Sequence, residues 1–188
     1  MKVTQTAIPS VIIFEPRVFA DSRGQFLETW SRQRYIDAGI NPEFVQDNVS
    51  CSSKGTLRGL HFQHPNGQGK LVQTVAGEVF DVAVDIRLGS PTFGKSVSAI
   101  LSKENHKQMY IPPGFAHGFC VLSDTAIFSY KCTDYYDQPS EGGIFWNDPD
   151  LAIDWPQSNP LLSDKDAKYT PLKDIDQNLL PHYEDTNG

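Results

Sequence analysis

Residues 55–87 read GTLRGLHFQHPNGQGKLVQTVAGEVFDVAVDIR and carry the clearest strand pattern in the chain. Beyond residue 79 every even position is apolar, whereas the odd positions carry two aspartates, an alanine and an arginine. This alternation is typical of a strand that buries one face. We therefore predict a strand here, with Asp81 turned away from the main apolar face.

A tight turn is predicted just before this strand, where a second apolar run that begins at Lys70 comes to an end. A two-residue loop at Gly77 and Glu78 would join the two runs as a β-hairpin. In that register Lys70 would pair with Asp85. Lys70 and Asp81 would then share one face of the sheet.

The run from residue 56 to residue 63 carries both Arg58 and His61. A spacing of three sends two side chains to opposite faces of a regular strand. Gly59 lies between them, and a glycine inside a strand often marks a β-bulge. We predict a bulge at Gly59 that brings Arg58 and His61 to one face.

The rest of the chain repeats this theme of short strands broken by glycine and proline. Further strand-like runs lie at residues 10–14, 25–30, 44–53, 96–101, 115–122 and 125–132. The best helix candidate is residues 31–39, with Ser31 as the N-cap and Gly39 as the stop. Many short strands with hardly any helix predict an all-β sandwich or barrel.

The composition fits a single globular domain. The chain has 188 residues, of which 39% are hydrophobic and 21% are charged, and this is enough to bury a substantial core. No repeat or linker divides residues 1–188, so we predict one domain. We expect residues 150–188 to cap it, with a frayed end at residues 184–188. Residues 1–30 are expected to supply edge strands at a dimer interface.

The charge and the cysteines narrow the class of protein. A net charge of −7 argues against general binding to nucleic acid or to anionic membranes, because both partners are polyanions. Cys51, Cys120 and Cys132 lie in or beside apolar runs and are predicted to be buried thiols in a reducing compartment. No signal peptide and no membrane-length run is recognised, so a cytoplasmic location is expected.

Two interpretations compete for His61. A metal site would combine His61, His64 and His117 with a carboxylate. The spacing of HFQH disfavours it, because His61 and His64 would point to opposite faces of a strand. No glycine-rich phosphate loop or dinucleotide fingerprint is present either. We predict no metal and no other cofactor.

Several longer motifs resemble one enzyme family, in the same order along the chain. They are TLRGLHFQ, GKLVQTVAGEVFDVAVDIR, SPTFGK, IPPGFAHGFCVLSD, YKCTDYYDQPSEGGIFWNDPDLAIDWP and LSDKDA. Together they resemble the dTDP-4-dehydrorhamnose 3,5-epimerases from about residue 14 to about residue 172. The resemblance implies a cupin-type double-stranded β-helix, or jelly-roll sandwich, with a few short helices. It also implies a homodimer.

The chemistry that this resemblance implies is metal-free proton transfer beside a ketone. A C4 ketone acidifies the C–H bonds at C3 and C5, and inversion needs a base, an acid on the opposite face and a cation beside the enolate oxygen. His61 is the predicted base and Tyr130 the predicted acid. Lys70 is predicted to stabilise the enolate and to ease proton loss from Tyr130. The resemblance implies that Asp166 pairs with His61 and holds its tautomer.

The other predicted site residues would hold the nucleotide and the sugar. Arg23 and Arg58 supply bidentate donors that suit a pyrophosphate. The resemblance implies that Arg23 and Glu28 reach a neighbouring subunit. It also implies that Tyr136 stacks on the thymine ring and that His117 contacts the sugar or its phosphate. The further contacts that it implies come from Gln46, Asp47, Asn48, Glu141 and Lys165.

The sequence thus predicts an isomerase that converts dTDP-4-dehydro-6-deoxy-D-glucose into dTDP-4-dehydro-L-rhamnose. Three alternatives stay open. They are an epimerase that inverts only C3 or only C5, a non-catalytic nucleotide-sugar-binding cupin, and a metal-dependent cupin oxygenase or isomerase. Gln73 and Ser96 stand where the family usually has an arginine and an aromatic residue, and Gln73 is expected to reduce the positive charge of the pocket.

Overall fold

The computed structural model describes residues 1–183. Residues 184–188, with the frayed end predicted for them, lie outside the described residues. The strands in the described part are β1 Lys2–Gln5, β2 Ile12–Glu15, β3 Val18–Asp21, β4 Gly24–Leu27, β5 Gln46–Ser53, β6 Leu57–Gln63, β7 Lys70–Ala76, β8 Glu78–Asp85, β9 Ser96–Ser102, β10 Gln108–Ile111, β11 Phe115–Val121, β12 Thr125–Cys132 and β13 Glu141–Gly143.

The helices are short. They are α1 Arg32–Asp37 and the 3₁₀ helices Gln138–Ser140, Asp166–Lys168, Leu172–Asp174 and Gln177–Leu179. No helix within residues 1–183 is long and apolar enough to cross a membrane. The predicted helix is confirmed, and it begins after Ser31 and ends before Gly39, whose φ of +102° stops it.

The strands form two facing antiparallel sheets and a separate two-stranded sheet. The larger sheet has the order β1-β2-β10-β7-β12-β5, the second has the order β13-β6-β11-β8-β9, and β3 pairs with β4. Val72 and Phe128 of the larger sheet pack against Val79 and Phe119 of the second sheet in one buried cluster. This packing confirms the predicted all-β sandwich.

The predicted hairpin between β7 and β8 is wrong, because the chain passes from one sheet to the other at Gly77. Gly77 has a φ of +76°, and a Cβ built there would collide with the backbone oxygen of Thr125. Lys70 pairs with Cys132 of β12 instead of with Asp85. Lys70 and Asp81 therefore lie on different sheets, whose inner faces oppose each other.

Both faces of β8 are buried, so the prediction that it has one apolar face is incomplete. Val82, Val84 and Ile86 pack in a buried cluster with Leu172 and Leu180 from the C-terminal segment. The opposite face of the strand points into the sandwich. Asp81 lies on that inner face and is fully buried, so it needs a partner there.

The predicted bulge in β6 is confirmed. In the pairing with β11, His117 lies opposite His61 and Phe119 lies opposite Arg58, so β6 has one residue more than β11 in this interval. Gly59 has a φ of +127°, and a Cβ there would lie 2.5 Å from the Cα of Gly118. The extra residue turns Arg58 and His61 to the same face of the sheet.

The N-terminal region supplies one edge of the larger sheet through β1, whereas β2 lies inside that sheet. It pairs with β1 on one side and with β10 on the other. Its outer face packs with α1 in a buried cluster that includes Phe14, Tyr35 and Leu71. Within the described chain, the edge of the larger sheet on this side is therefore formed by β1.

The three cysteines do not share one environment. Cys120 and Cys132 are buried, as predicted, but Cys51 is exposed. Cys51 lies on β5, which is the opposite edge strand of the larger sheet. Its side chain points to the outer face of the sheet, as does that of Val49 two residues earlier, which is also exposed. The apolar run around Cys51 therefore gave a wrong prediction of burial.

Candidate active site

A cavity of about 250 Å³ is lined by side chains from both sheets. Four strands, β5, β6, β7 and β12, and the loop after β12 supply most of the wall. The lining residues are Gln46, Asn48, His61, Phe62, Gln63, Gln68, Lys70, Phe115, Tyr130, Tyr136 and Glu141. The predicted base, acid and cation thus lie around one cavity.

His61 is held at one ring nitrogen by Asp166. Its Nε2 lies 2.7 Å from Oδ1 of Asp166, and the side chains are 30% and 5% exposed. Burial raises the pKa of Asp166, but the hydrogen bond and charge of His61 and the backbone N–H of Gly59 outweigh burial and hold that pKa below its usual value. A carboxylate accepts hydrogen bonds, so Nε2 carries the proton and Nδ1 is the basic nitrogen.

Lys70 is a half-buried cation in the wall of the cavity. Burial lowers the pKa of its ammonium group, although the negative charges of Asp81 and Glu141 oppose this shift. Lys70 forms no salt bridge with any group in the described part of the chain. Its charge is therefore available to an anion that enters the cavity.

Tyr130 lies on β12, in the sheet opposite His61. Burial raises the pKa of its phenol, Cys132 and Glu141 act in the same direction, and Arg58 opposes them. We predicted that Lys70 would lower this pKa. That prediction is wrong, because burial has the larger effect. A phenol with a raised pKa stays protonated at neutral pH, which is the form that a proton donor requires.

His117 is buried and is not among the residues that line the cavity. Its Nε2 lies 2.9 Å from Oδ2 of Asp81, and the two side chains are 8% and 0% exposed. Burial lowers the pKa of His117, although the charge and hydrogen bond of Asp81 oppose this shift. The imidazole also stacks on Phe128. His117 therefore supplies the partner that buried Asp81 needs, and the structure does not place it at the cavity surface.

Tyr136, Glu141 and Lys165 form a connected polar group at the mouth of the cavity. The Tyr136 hydroxyl donates to Oε2 of Glu141 at 2.8 Å, and Lys165 forms an ion pair with the same oxygen. Burial raises the pKa of Glu141, but hydrogen bonds from Lys165 and Tyr136 outweigh it and hold that pKa low. The Tyr136 ring is about half exposed and can be covered by a flat ligand.

Two of the three predicted contacts on β5 lie in the cavity. Gln46 accepts a hydrogen bond from the backbone N–H of Tyr136 at 3.0 Å, and Asn48 accepts one from Gln46 at 3.2 Å. Asp47 points to the other face, where it pairs with Lys131 at 2.9 Å. Alternation along β5 explains this difference.

Arg58 lies on the same face as His61 but not in the wall of this cavity. Its Nε donates to Oγ of Ser52 at 3.1 Å, and its side chain is exposed. Because its charge lowers the pKa of Tyr130, Arg58 is close enough to act on the site electrostatically.

Arg23 and Glu28 lie outside the cavity of their own chain. Arg23 is paired with Asp21 at 2.6 Å, and its side chain is 88% exposed. Glu28 is paired with Arg34 at 3.2 Å. Arg23 lies in the turn between β3 and β4 and Glu28 directly follows β4, outside the two large sheets. Their predicted role across a subunit boundary stays a prediction.

The histidines of the rival metal site are not gathered around one point, although His61 and His117 lie opposite each other on β6 and β11. His61 is bound to Asp166, and His117 is bound to Asp81. His64 lines a different cavity. Among residues 1–183 no group of three or more histidine, cysteine or acidic side chains is arranged to hold a metal ion.

Comparison with known proteins identifies the family. The model of the dTDP-4-dehydrorhamnose 3,5-epimerase family matches residues 5–174. The dTDP-4-dehydrorhamnose 3,5-epimerase of Shigella flexneri is 57% identical over 178 residues, which is 94% of this chain and 98% of that protein. This chain belongs to the dTDP-4-dehydrorhamnose 3,5-epimerase family.

Solved structures of the epimerase family have the same fold. The 3,5-epimerase of Legionella pneumophila Philadelphia 1, in complex with dTDP-4-keto-L-rhamnose, superposes with a TM-score of 0.94 at 56% identity and covers 97% of this chain and 98% of its own. A 3'-monoepimerase of Streptomyces bikiniensis, in complex with dTDP-quinovose, has a TM-score of 0.90 at 35% identity and covers 96% and 93% of the two chains. The predicted fold class is confirmed.

Some residues that line the cavity were not predicted. Gln63 follows His61 at the spacing that keeps one face, so strand alternation could have identified it. It donates to the backbone oxygen of Tyr135 at 3.1 Å and accepts from the N–H of Asp137 at 2.9 Å, and it thereby holds the loop that carries Tyr136. No sequence signal marks Phe115, which also lines the cavity.

Gln73, which departs from the usual pattern of the epimerase family, does not line the cavity of His61. It accepts a hydrogen bond from Gln108 at 2.9 Å. The two residues line a separate cavity of about 160 Å³ together with Asp47. Gln73 therefore has no direct contact through which it could reduce the positive charge of the cavity at His61.

Proposed function

We propose that this chain is a cofactor-independent epimerase that converts dTDP-4-dehydro-6-deoxy-D-glucose into dTDP-4-dehydro-L-rhamnose. The observation that carries the proposal is the His61–Asp166 pair, at 2.7 Å, beside a cavity that Lys70 and Tyr130 also line. A base with a fixed tautomer, a protonated phenol and an unpaired cation are the three groups that inversion beside a ketone requires.

The placement of these groups on different sheets fits an inversion. His61 lies on β6 of one sheet and Tyr130 lies on β12 of the other, so a sugar ring between them would meet a base on one face and an acid on the other. Nδ1 of His61 takes the proton from C3 or C5, and the electrons move to the C4 oxygen. Lys70 stabilises the resulting enolate, and Tyr130 returns a proton from the opposite face.

The nucleotide end of the substrate is assigned to the mouth of the cavity. Tyr136 offers a half-exposed ring for the thymine, and Glu141 holds that ring through its hydroxyl. Arg58 and Lys165 are the nearby cations for the diphosphate. His117 acts indirectly in this scheme, because it is buried against Asp81.

A single-centre epimerase is the second candidate, because the 3'-monoepimerase of Streptomyces bikiniensis has the same fold. The stereochemistry of the product distinguishes the two. After incubation with dTDP-4-dehydro-6-deoxy-D-glucose, borohydride reduction and hydrolysis, double inversion gives rhamnose and 6-deoxytalose. Inversion at C3 alone gives 6-deoxyallose and 6-deoxygulose. Recovery of only quinovose and fucose, the reduction products of unchanged substrate, would refute both candidates.

The homodimer and the cytoplasmic location belong to the same proposal. The side chains of Phe19 and Phe26 on the β3–β4 sheet are 49% and 70% exposed, and apolar side chains so placed are typical of a contact surface. We propose that this sheet contacts a second copy of the chain and brings Arg23 and Glu28 to its site. A monomer in light scattering would contradict both this contact and the proposed role of Arg23 and Glu28 at the site of the second copy.

A further inference from the structure

Gly143 leaves room for an aromatic ring beside the predicted base. It lies directly opposite His61 in the pairing of β13 with β6. Side chains of directly opposed residues on antiparallel strands point to the same face of a sheet. Gly143 has no side chain, and the ring of Tyr169 occupies its place, because a Cβ built on Gly143 would collide with that ring.

Tyr169 reaches this position from the segment that also supplies Asp166. It directly follows the 3₁₀ helix Asp166–Lys168. Its ring meets the imidazole of His61 edge to face, with centroids 6.0 Å apart and an interplanar angle of 69°. One short segment therefore delivers both the carboxylate that binds Nε2 and the ring that packs against the imidazole.

The contact depends on the ring of Tyr169 and not on its hydroxyl. The hydroxyl is buried and has no hydrogen bond of acceptable geometry within residues 1–183. Burial raises the pKa of this phenol, so it stays neutral. Tyr169 is absent from the lining of the cavity. An effect of the ring on the reaction would therefore act through His61 and Asp166, whereas an effect of the hydroxyl would act through the nearby charge of Lys165.

We propose that Tyr169 is a positioning residue that shields the His61–Asp166 hydrogen bond from water. A hydrogen bond between a histidine and a carboxylate is stronger and better directed when water is excluded. The ring also blocks rotation of the imidazole towards the space above Gly143. The tautomer with the proton on Nε2 and the base on Nδ1 is thereby maintained between turnovers. This inference rests on the proposed function of His61.

Two measurements on matched variants test whether Tyr169 shields the His61–Asp166 hydrogen bond. The first is the rate at which the Nε2 proton of His61 exchanges with water, followed by proton NMR in the ligand-free enzyme and assigned by its loss in H61N. The second is kcat and KM for epimerisation. The variants are Y169A, Y169F and G143A, and the control is K168A, at an exposed position next to Tyr169.

The expected results separate the ring from the hydroxyl. Y169A exchanges the Nε2 proton at least tenfold faster and loses about tenfold in kcat, because a misplaced catalytic group is costly, while KM changes less than twofold. Y169F keeps the wild-type exchange rate and kcat, because the ring is intact, and K168A behaves like the wild type. G143A displaces the ring and shifts both quantities in the same direction as Y169A. If Y169A fails to fold, the comparison of G143A with the wild type decides the question.

Three outcomes would overturn the proposal. The first is a wild-type exchange rate and a wild-type kcat in both Y169A and G143A. The second is an equal loss of kcat in Y169F and Y169A. The third is a loss of kcat in Y169A that parallels a loss of substrate binding and a fall in melting temperature. The exchange measurement needs no substrate. A wild-type protein that protects the Nε2 proton but does not epimerise would refute the proposed function and leave the shield intact.

Discussion

Nε2 of His61 lies 2.7 Å from Oδ1 of Asp166, although 105 residues separate them in the chain. The carboxylate is buried, and it also accepts the backbone N–H of Gly59, at the bulge of β6. The bulge therefore aims His61 into the cavity and also holds the residue that fixes its tautomer. This arrangement leaves Nδ1 as the basic nitrogen of His61.

Replacing Asp166 with asparagine is expected to lower kcat by roughly a hundredfold or more, because an amide can donate to Nε2 and stabilise the wrong tautomer. KM is expected to change little. Steady-state kinetics check this, with D164N as the control, because Asp164 is an exposed neighbour of similar charge. A kcat for D166N within threefold of the wild type would contradict the role of the pair.

Replacing Tyr130 with phenylalanine separates proton removal from inversion. The variant lacks the acid but keeps His61, so His61 is expected to remove a proton and return a deuteron to the same face. NMR in D₂O should then show deuterium at the reacting carbon without the epimeric product. Y110F is the control, because Tyr110 packs on the outer face of the larger sheet. Normal epimerisation by Y130F would exclude Tyr130 as the acid.

Replacing Lys70 with methionine removes the cation and keeps most of the side-chain volume. The expected loss in kcat is about a hundredfold, which is the usual effect of removing one group that stabilises a developing oxyanion. Burial lowers the pKa of Lys70, so the buried charge also destabilises the fold at neutral pH. K70M should therefore be less active but more resistant to urea at pH 7. Full activity in K70M would refute the assignment of Lys70.

Arg87 is expected to stabilise the end of β8. Its Nη2 lies 2.8 Å from Oδ2 of Asp85, and the side chains are 4% and 0% exposed. R87M leaves that carboxylate buried without its partner, so the free energy of unfolding should fall by about 3–5 kcal/mol. K173M, which removes the exposed pair with Asp150, should leave the free energy of unfolding nearly unchanged. Urea titrations measure both.

The pair of Arg87 and Asp85 also predicts how the stability of the fold changes with pH. Burial raises the pKa of Asp85, but hydrogen bonds from Arg87, Ser90 and Thr92 outweigh it and hold that pKa below the usual value of 3.8. The stability that the carboxylate contributes is therefore present above pH 3.8 and is lost as the pH falls through its lowered pKa. R87M should lose less stability on acidification than the wild type. An equal acid sensitivity would contradict this account.

The sequence predicted the strands better than their partners. Alternation located β8, and strand-like runs located β6, β11 and β12, but the same alternation fits a hairpin and a corner between two sheets. At Gly77 the difference depends on the approach of Thr125, which is remote in the chain. The bulge was predictable because Gly59 interrupts a strand whose two polar residues otherwise diverge.

The site was predictable where local pattern or family resemblance carried the signal. His61, Lys70 and Tyr130 lie around one cavity, and Asp166 reaches His61. The environment of each group was not predictable. Burial decides the pKa direction of Tyr130, and His117, for which a substrate contact was expected, is buried against Asp81.

The most direct test of the account follows deuterium from D₂O into dTDP-4-dehydro-6-deoxy-D-glucose, by proton NMR and in the presence of a chelator. The wild type is expected to exchange both C3–H and C5–H and to form the double epimer. H61N, which keeps a side chain of similar size, is expected to exchange neither. Wild-type exchange at neither carbon, or undiminished exchange in H61N, would contradict the claim that His61 is the base of a double epimerase.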